Sequence, residues 1–144
     1  MTENRIPRTV GRVALLAIFL AATPAAEADN ARLTSYQETI RSAAITIGAC
    51  GSSSNCTLNH VTKMSSYADR WVALAVTKAN AGTCAPGPVK VARAAATSYR
   101  RATLNFLPVI GFPNKDQSGQ KTSAWVYRYK VMFARMTTAN ATCT

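Results

Sequence analysis

Acid is what this chain has least of. Six Asp and Glu stand against 17 Lys and Arg, and there is a single histidine, His60. So few carboxylates leave no paired-carboxylate signature of the kind that acid–base hydrolysis uses. A Gly-rich phosphate loop, a G-x-S-x-G nucleophile turn and any known nucleic-acid-binding motif are missing as well. No segment alternates apolar and polar residues long enough to make a strand. Nor is there an apolar run of the roughly 20 residues that a membrane span requires. These absences weigh against an enzyme with a familiar motif, a sheet protein and an integral membrane protein.

The longest apolar run, Val13 to Ala22, is short and sits in a recognisable setting. It follows a basic start, "MTENRIPRTVGR", and precedes "TPAAEA", which ends in Ala26-Glu27-Ala28. Basic start, apolar middle and A-x-A end are the three parts of a secretory signal. We therefore expect residues 1–28 to be a cleavable signal peptide and residues 29–144 a single exported domain, periplasmic or secreted. The first 28 residues hold three basic and two acidic side chains. Residues 29–144 thus keep 14 cations against four acids, a net of +10.

Four cysteines, Cys50, Cys56, Cys84 and Cys143, fall in that domain. An even count in a small exported chain reads as two disulfides, for which three pairings exist. Helical periodicity narrows the choice. Leu33, Tyr36, Ile40, Ala43, Ala44 and Ile47 step by threes and fours, as do Leu58, Val61, Met64, Ala68, Trp71 and Ala75. Ala92, Ala95, Ala96, Tyr99, Ala102, Thr103 and Phe106 mark a third helix opening at Pro88. Trp125, Tyr129, Met132, Met136 and Ala139 mark a fourth. The expected fold is all-α, a small antiparallel four-helix bundle. In that topology Cys50 and Cys56 share one end and Cys84 and Cys143 the other, which favours the pairs 50–56 and 84–143.

His60 follows Cys56 by four residues and raises the question of chemistry. A zinc site needs four ligands, and an exported cysteine pair oxidises instead, so the cysteines read as staples and no metal or other cofactor is expected. The segment "CTLNH" resembles the Cys-before-His stretch of small secreted helical phospholipases A2 of microbes. That family has Asp directly after the histidine, where this chain has Val61, and it uses a calcium-binding acid that has no match here. The methionines are expected to fill the core.

The remaining signal is positive charge. Lys121, Arg128 and Arg135 recur every seven residues beside the apolar stripe of the fourth helix, and Lys90, Arg93, Arg100 and Arg101 lie away from that of the third. If those helices are neighbours, the two edges can merge. Val109, Ile110 and Phe112, between Pro108 and Pro113, either cap one end of the bundle or protrude as an anchor. The expected function is binding without catalysis: a basic surface formed by Arg93, Arg100, Arg101, Arg128 and Arg135, with Phe112 as an apolar contact, engages an acidic protein or anionic envelope component. An inhibitor or immunity-type protein is one concrete form. The alternatives are a cationic effector that acts on membranes, by disruption or as a His60-dependent hydrolase, and a structural subunit of an envelope or secretion complex. Nucleic acid fits poorly with export; peripheral membrane contact stays open.

Overall fold

The computed structural model describes residues 24–144, and these form a four-helix bundle. Helix α1 spans Pro24–Ala49, α2 Ser54–Asn80, α3 Pro86–Phe106 and α4 Ser118–Asn140, with a short 3-10 turn at Leu107–Val109. The most extensive packing joins α1 to α2 and α3 to α4. Contact between α2 and α3 is smaller, and between α1 and α4 smaller still. The bundle is thus two helical hairpins laid together. No described helix is long and apolar enough to cross a membrane.

Local chemistry explains the corners. Between α1 and α2 the chain reverses through Gly51, whose φ of 59° lies in the left-handed region. Ser53 then caps α2, its Oγ accepting a hydrogen bond from the Cys56 amide at 3.3 Å. Gly82 ends α2 with φ 76°, and the Thr83 amide donates back to the Lys78 carbonyl at 2.9 Å. Helix α3 starts at Pro86, two residues ahead of the expected Pro88, because a proline in the first turn has no intrahelical N–H to lose. Its end is set by Pro108, where the chain tightens into the 3-10 turn. Gly111 follows with φ 81°, and a Cβ there would collide with the Ser54 side chain. The loop after α3 therefore lies directly on the start of α2.

The expected apolar stripes form the core. Leu33, Ile40, Val61, Met64, Trp71, Tyr99, Met132 and Met136 are the largest fully buried side chains. All three helical methionines pack there, as expected. Phe106 stacks on Trp125 with ring centroids 4.7 Å apart, and Tyr99 and Tyr129 flank the same indole. Truncating such a buried aromatic to Ala costs about 3–5 kcal/mol.

Both favoured disulfides are present, Cys50–Cys56 and Cys84–Cys143, and no described cysteine is free. Two polar residues are buried without a warning in the pattern. Gln37 joins α1 to α4 by donating to the Phe133 carbonyl and the Thr137 hydroxyl and by accepting from Asn140 Nδ2. Asn140 in turn accepts from the Trp71 indole at 3.0 Å, which ties in α2. Lys78 is the other; its stem lies in the core near the last turn of α2.

The expected signal segment, residues 1–28, lies outside the described residues apart from its last five, which open α1. The first core side chain of α1 is Leu33, downstream of Ala28. A chain starting at Asp29 therefore keeps every residue of the buried set.

Candidate functional site

Charge is divided between the two hairpins. Helices α3 and α4 carry Lys90, Arg93, Arg100, Arg101, Lys121, Arg128, Lys130 and Arg135 and no acid at all. Helices α1 and α2 carry Arg32, Arg41, Lys63, Arg70 and Lys78 against Glu27, Asp29, Glu38 and Asp69. One hairpin is strongly cationic, and the other is close to balance.

The described ion pairs sharpen that division. Arg32 pairs with Asp29 at 3.8 Å and Arg41 with Glu38 at 3.5 Å, both within α1. Arg100 reaches across to Asp69 on α2. Arg100 therefore faces a groove between α2 and α3, which Arg93, Val72 and Thr97 also line. Its neighbour Arg101 is rotated by about 100° on the helix and enters a different groove.

That second groove, of about 430 Å³, runs between α3 and α4. Arg101, Lys121 and Arg128 line it together with Asn105, Gln117 and Gln120, and no acid does. None of its three cations takes part in an ion pair among the described residues. Gln117 and Gln120 bring the start of α4 to its edge. The first turn of α4 contains no acid, so the positive end of the helix dipole adds to the same field. Arg128 also stands over the Tyr127 ring, 5.4 Å from its centroid, which holds the guanidinium on an exposed aromatic.

The six residues expected to form one surface are all exposed. They separate into distinct places. Arg101 and Arg128 share the α3–α4 groove, Arg93 and Arg100 share the α2–α3 groove, and Arg135 lines neither. Phe112 stands at the loop after α3, 64% exposed, beside Pro113 and Lys115, while its neighbours Val109 and Ile110 are buried. The loop thus does both things considered for it: two residues cap the bundle and one protrudes. Asn105, Gln117 and Gln120 were not singled out from the sequence. Their one visible signal is that Gln117 and Gln120 precede Lys121 within a turn.

His60 sits beside the Cys50–Cys56 bridge, half-buried, with Nδ1 enclosed and without a hydrogen bond among the described residues. Among the described residues no carboxylate is hydrogen-bonded to it, so the orienting partner of a general base is missing. Deep in the aromatic cluster, burial pushes the Tyr99 hydroxyl pKa upward. Among the described residues that hydroxyl makes no hydrogen bond.

No family model, curated protein or solved structure matches the chain.

Proposed function

We propose that this chain is an exported, non-enzymatic binding protein whose α3–α4 face engages an acidic macromolecule of the cell envelope. The observation that carries this reading is the charge division: eight cations and no acid on the two helices of one hairpin, whose loop adds Lys115 and Asp116, and near balance on the helices of the other. Arg101, Lys121 and Arg128 form its centre because they converge on one groove and have no acidic partner within the described residues. Arg93 and Arg135 extend the positive field around it, and Arg100 is partly neutralised by Asp69. An inhibitor or immunity-type partner, an acidic protein clasped along this face, is the most concrete version. Two disulfides suit the oxidising compartment that this reading assumes.

The test is capture from the protein's own envelope extract on the immobilised, oxidised chain at low and high salt. Reversing Arg101 and Arg128 to Glu is expected to weaken capture at least about tenfold, since each cation near a charged partner contributes roughly 1 kcal/mol or more. Reversing Lys63 and Arg70 on α2 changes the net charge equally and is expected to leave capture nearly intact. Equal loss in both variants would mean that total charge, and not this face, is the mechanism. No loss in either would end the reading.

A second reading, peripheral contact with an anionic membrane, is favoured by Phe112, an exposed aromatic at a loop tip beside Lys115. Phe112→Ser should lower partitioning onto vesicles containing phosphatidylglycerol and leave Tm within about 1 °C, because the ring contributes little to the core. Unchanged partitioning would remove the anchor.

A further inference from the structure

The end of the bundle at the α1–α2 turn gathers three soft metal donors. Cys56 and His60 lie four residues apart in the first two turns of α2, so both project from one face of the helix. The turn from Cys50 to Ser53 returns Cys50 to that face, with its Cα 5.6 Å from that of Cys56. Both sulfurs and one imidazole nitrogen lie within 4.8 Å of one another. Among the described residues this is the one group of three or more Cys, His, Asp or Glu side chains whose donor atoms converge so closely. All three residues are half-buried, and His60 Nδ1 is enclosed with no hydrogen bond from the described residues to occupy it.

With the disulfide closed, neither sulfur can act as a thiolate ligand. Reduction by an exported dithiol of the thiol–disulfide exchange class changes this. The S–S bond breaks, the two sulfurs take up two electrons and two protons, and the dithiol closes to its own disulfide. Metal binding then releases the thiol protons to solvent. Once the bond is open the two sulfurs can part until both reach one ion, at about the 2.3 Å that a thiolate sulfur keeps from zinc. Opening this bridge leaves the helices anchored, because Ile40 and Ala43 hold α1 and Val61 and Met64 hold α2 in the core.

We propose that the reduced turn, Cys50, Cys56 and His60, is a three-donor site for copper(I), and that formation of the disulfide switches it off. Two thiolates and an imidazole are a soft donor set, and copper(I) accepts three ligands where structural zinc completes four. No fourth Cys, His or carboxylate joins the group among the described residues. The site stands apart from the α3–α4 groove and does not depend on what that groove binds.

The test uses the full chain, reduced with a phosphine, desalted without oxygen and titrated with copper(I) against bicinchoninate, a coloured copper(I) chelator. The reduced protein should take up one copper(I) more than C50S/C56S treated alike, a control that also counts any metal taken by Cys84 and Cys143. The oxidised protein should take up none at this site. Cys56→Ser alone should show the same loss, and far-UV circular dichroism checks that the reduced wild type and each variant keep their helices. His60→Ala should weaken binding by more than the about 10- to 100-fold typical of losing an outer-shell partner. Equal uptake by reduced wild type and C50S/C56S, or by oxidised and reduced protein, would overturn the site. Unchanged affinity in His60→Ala would overturn the three-donor arrangement, and displacement of copper(I) by equimolar zinc would overturn the choice of ion.

Discussion

The two ends of the bundle are closed by the same kind of bond, and the bond does different things at each. Cys84 and Cys143 are 59 residues apart, Cys84 is buried, and the bridge ties the last turn of the chain to the α2–α3 corner. Hydrogen bonds reinforce it: the Thr144 amide donates to the Thr83 carbonyl at 2.8 Å, and the Ala85 amide to the Thr142 hydroxyl at 3.1 Å. At the other end Cys50 and Cys56 are six residues apart, half-exposed, and span a turn that Gly51 and the Ser53 cap already shape. A cross-link removes more freedom from the unfolded chain the longer the loop it closes. One end is therefore fastened strongly and the other only lightly.

The largest expected effect tests that difference directly. Replacing Cys84 and Cys143 by Ala should cost about 4 kcal/mol on the chain-entropy model, and replacing Cys50 and Cys56 about 2 kcal/mol. Denaturant unfolding of the two variants checks the ranking. Equal losses would mean that loop length is not what separates the ends.

Next comes the polar network toward the fastened end. Asn140→Ala leaves the Trp71 indole N–H and the Gln37 carbonyl oxygen without their partners. Orphaned buried groups cost about 1–3 kcal/mol each. A loss of about 2–3 kcal/mol is expected, with the far-UV spectrum unchanged. A loss below about 0.5 kcal/mol would show that the disulfide alone secures this end.

The smallest effect concerns Tyr99, whose hydroxyl is buried and unpaired between the ends. Tyr99→Phe should change stability at pH 7 by less than about 1 kcal/mol, because no hydrogen bond is lost. Alkali should separate the two proteins. Burial raises the folded-state pKa above the ordinary 10.0, so above pH 10 the unfolded chain sheds this proton before the folded one does. The unfolded state then binds fewer protons, and stability falls as pH rises through the window between the two values. Removing the hydroxyl should flatten that fall, which thermal unfolding at pH 9 and pH 11 measures. An identical fall in both proteins would assign it to other groups, Tyr129 among them, whose pKa burial also raises.

Much of the fold was legible because its causes are local. Apolar residues at three- and four-residue steps gave the four helices, and nearly every member of those stripes is buried or packs against the core. Gly51, Gly82 and Pro108 shape the corners through their own backbone limits. Gln37 was not legible: a glutamine on a helix reads as solvated until a partner such as Asn140 is found 103 residues away. The candidate site was half legible. That α3 and α4 are rich in cations and free of acid is printed in the chain, whereas the groove needs amides from the α4 entrance that no periodicity marks.

By itself, then, the sequence determined the four helices, the end at which each cysteine sits and the excess of positive charge, since each follows from residue spacing or from a count. Only the tertiary structure decided which cations work together. Arg100 and Arg101 are adjacent in the chain, yet one is drawn to Asp69 on α2 and the other joins Lys121 and Arg128 on α4. The packing of whole helices likewise decided that Ile110 is covered and Phe112 is not, and turn geometry brought the His60 imidazole against the two sulfurs. Contacts of this kind depend on relative positions in space, which neighbouring residues do not encode.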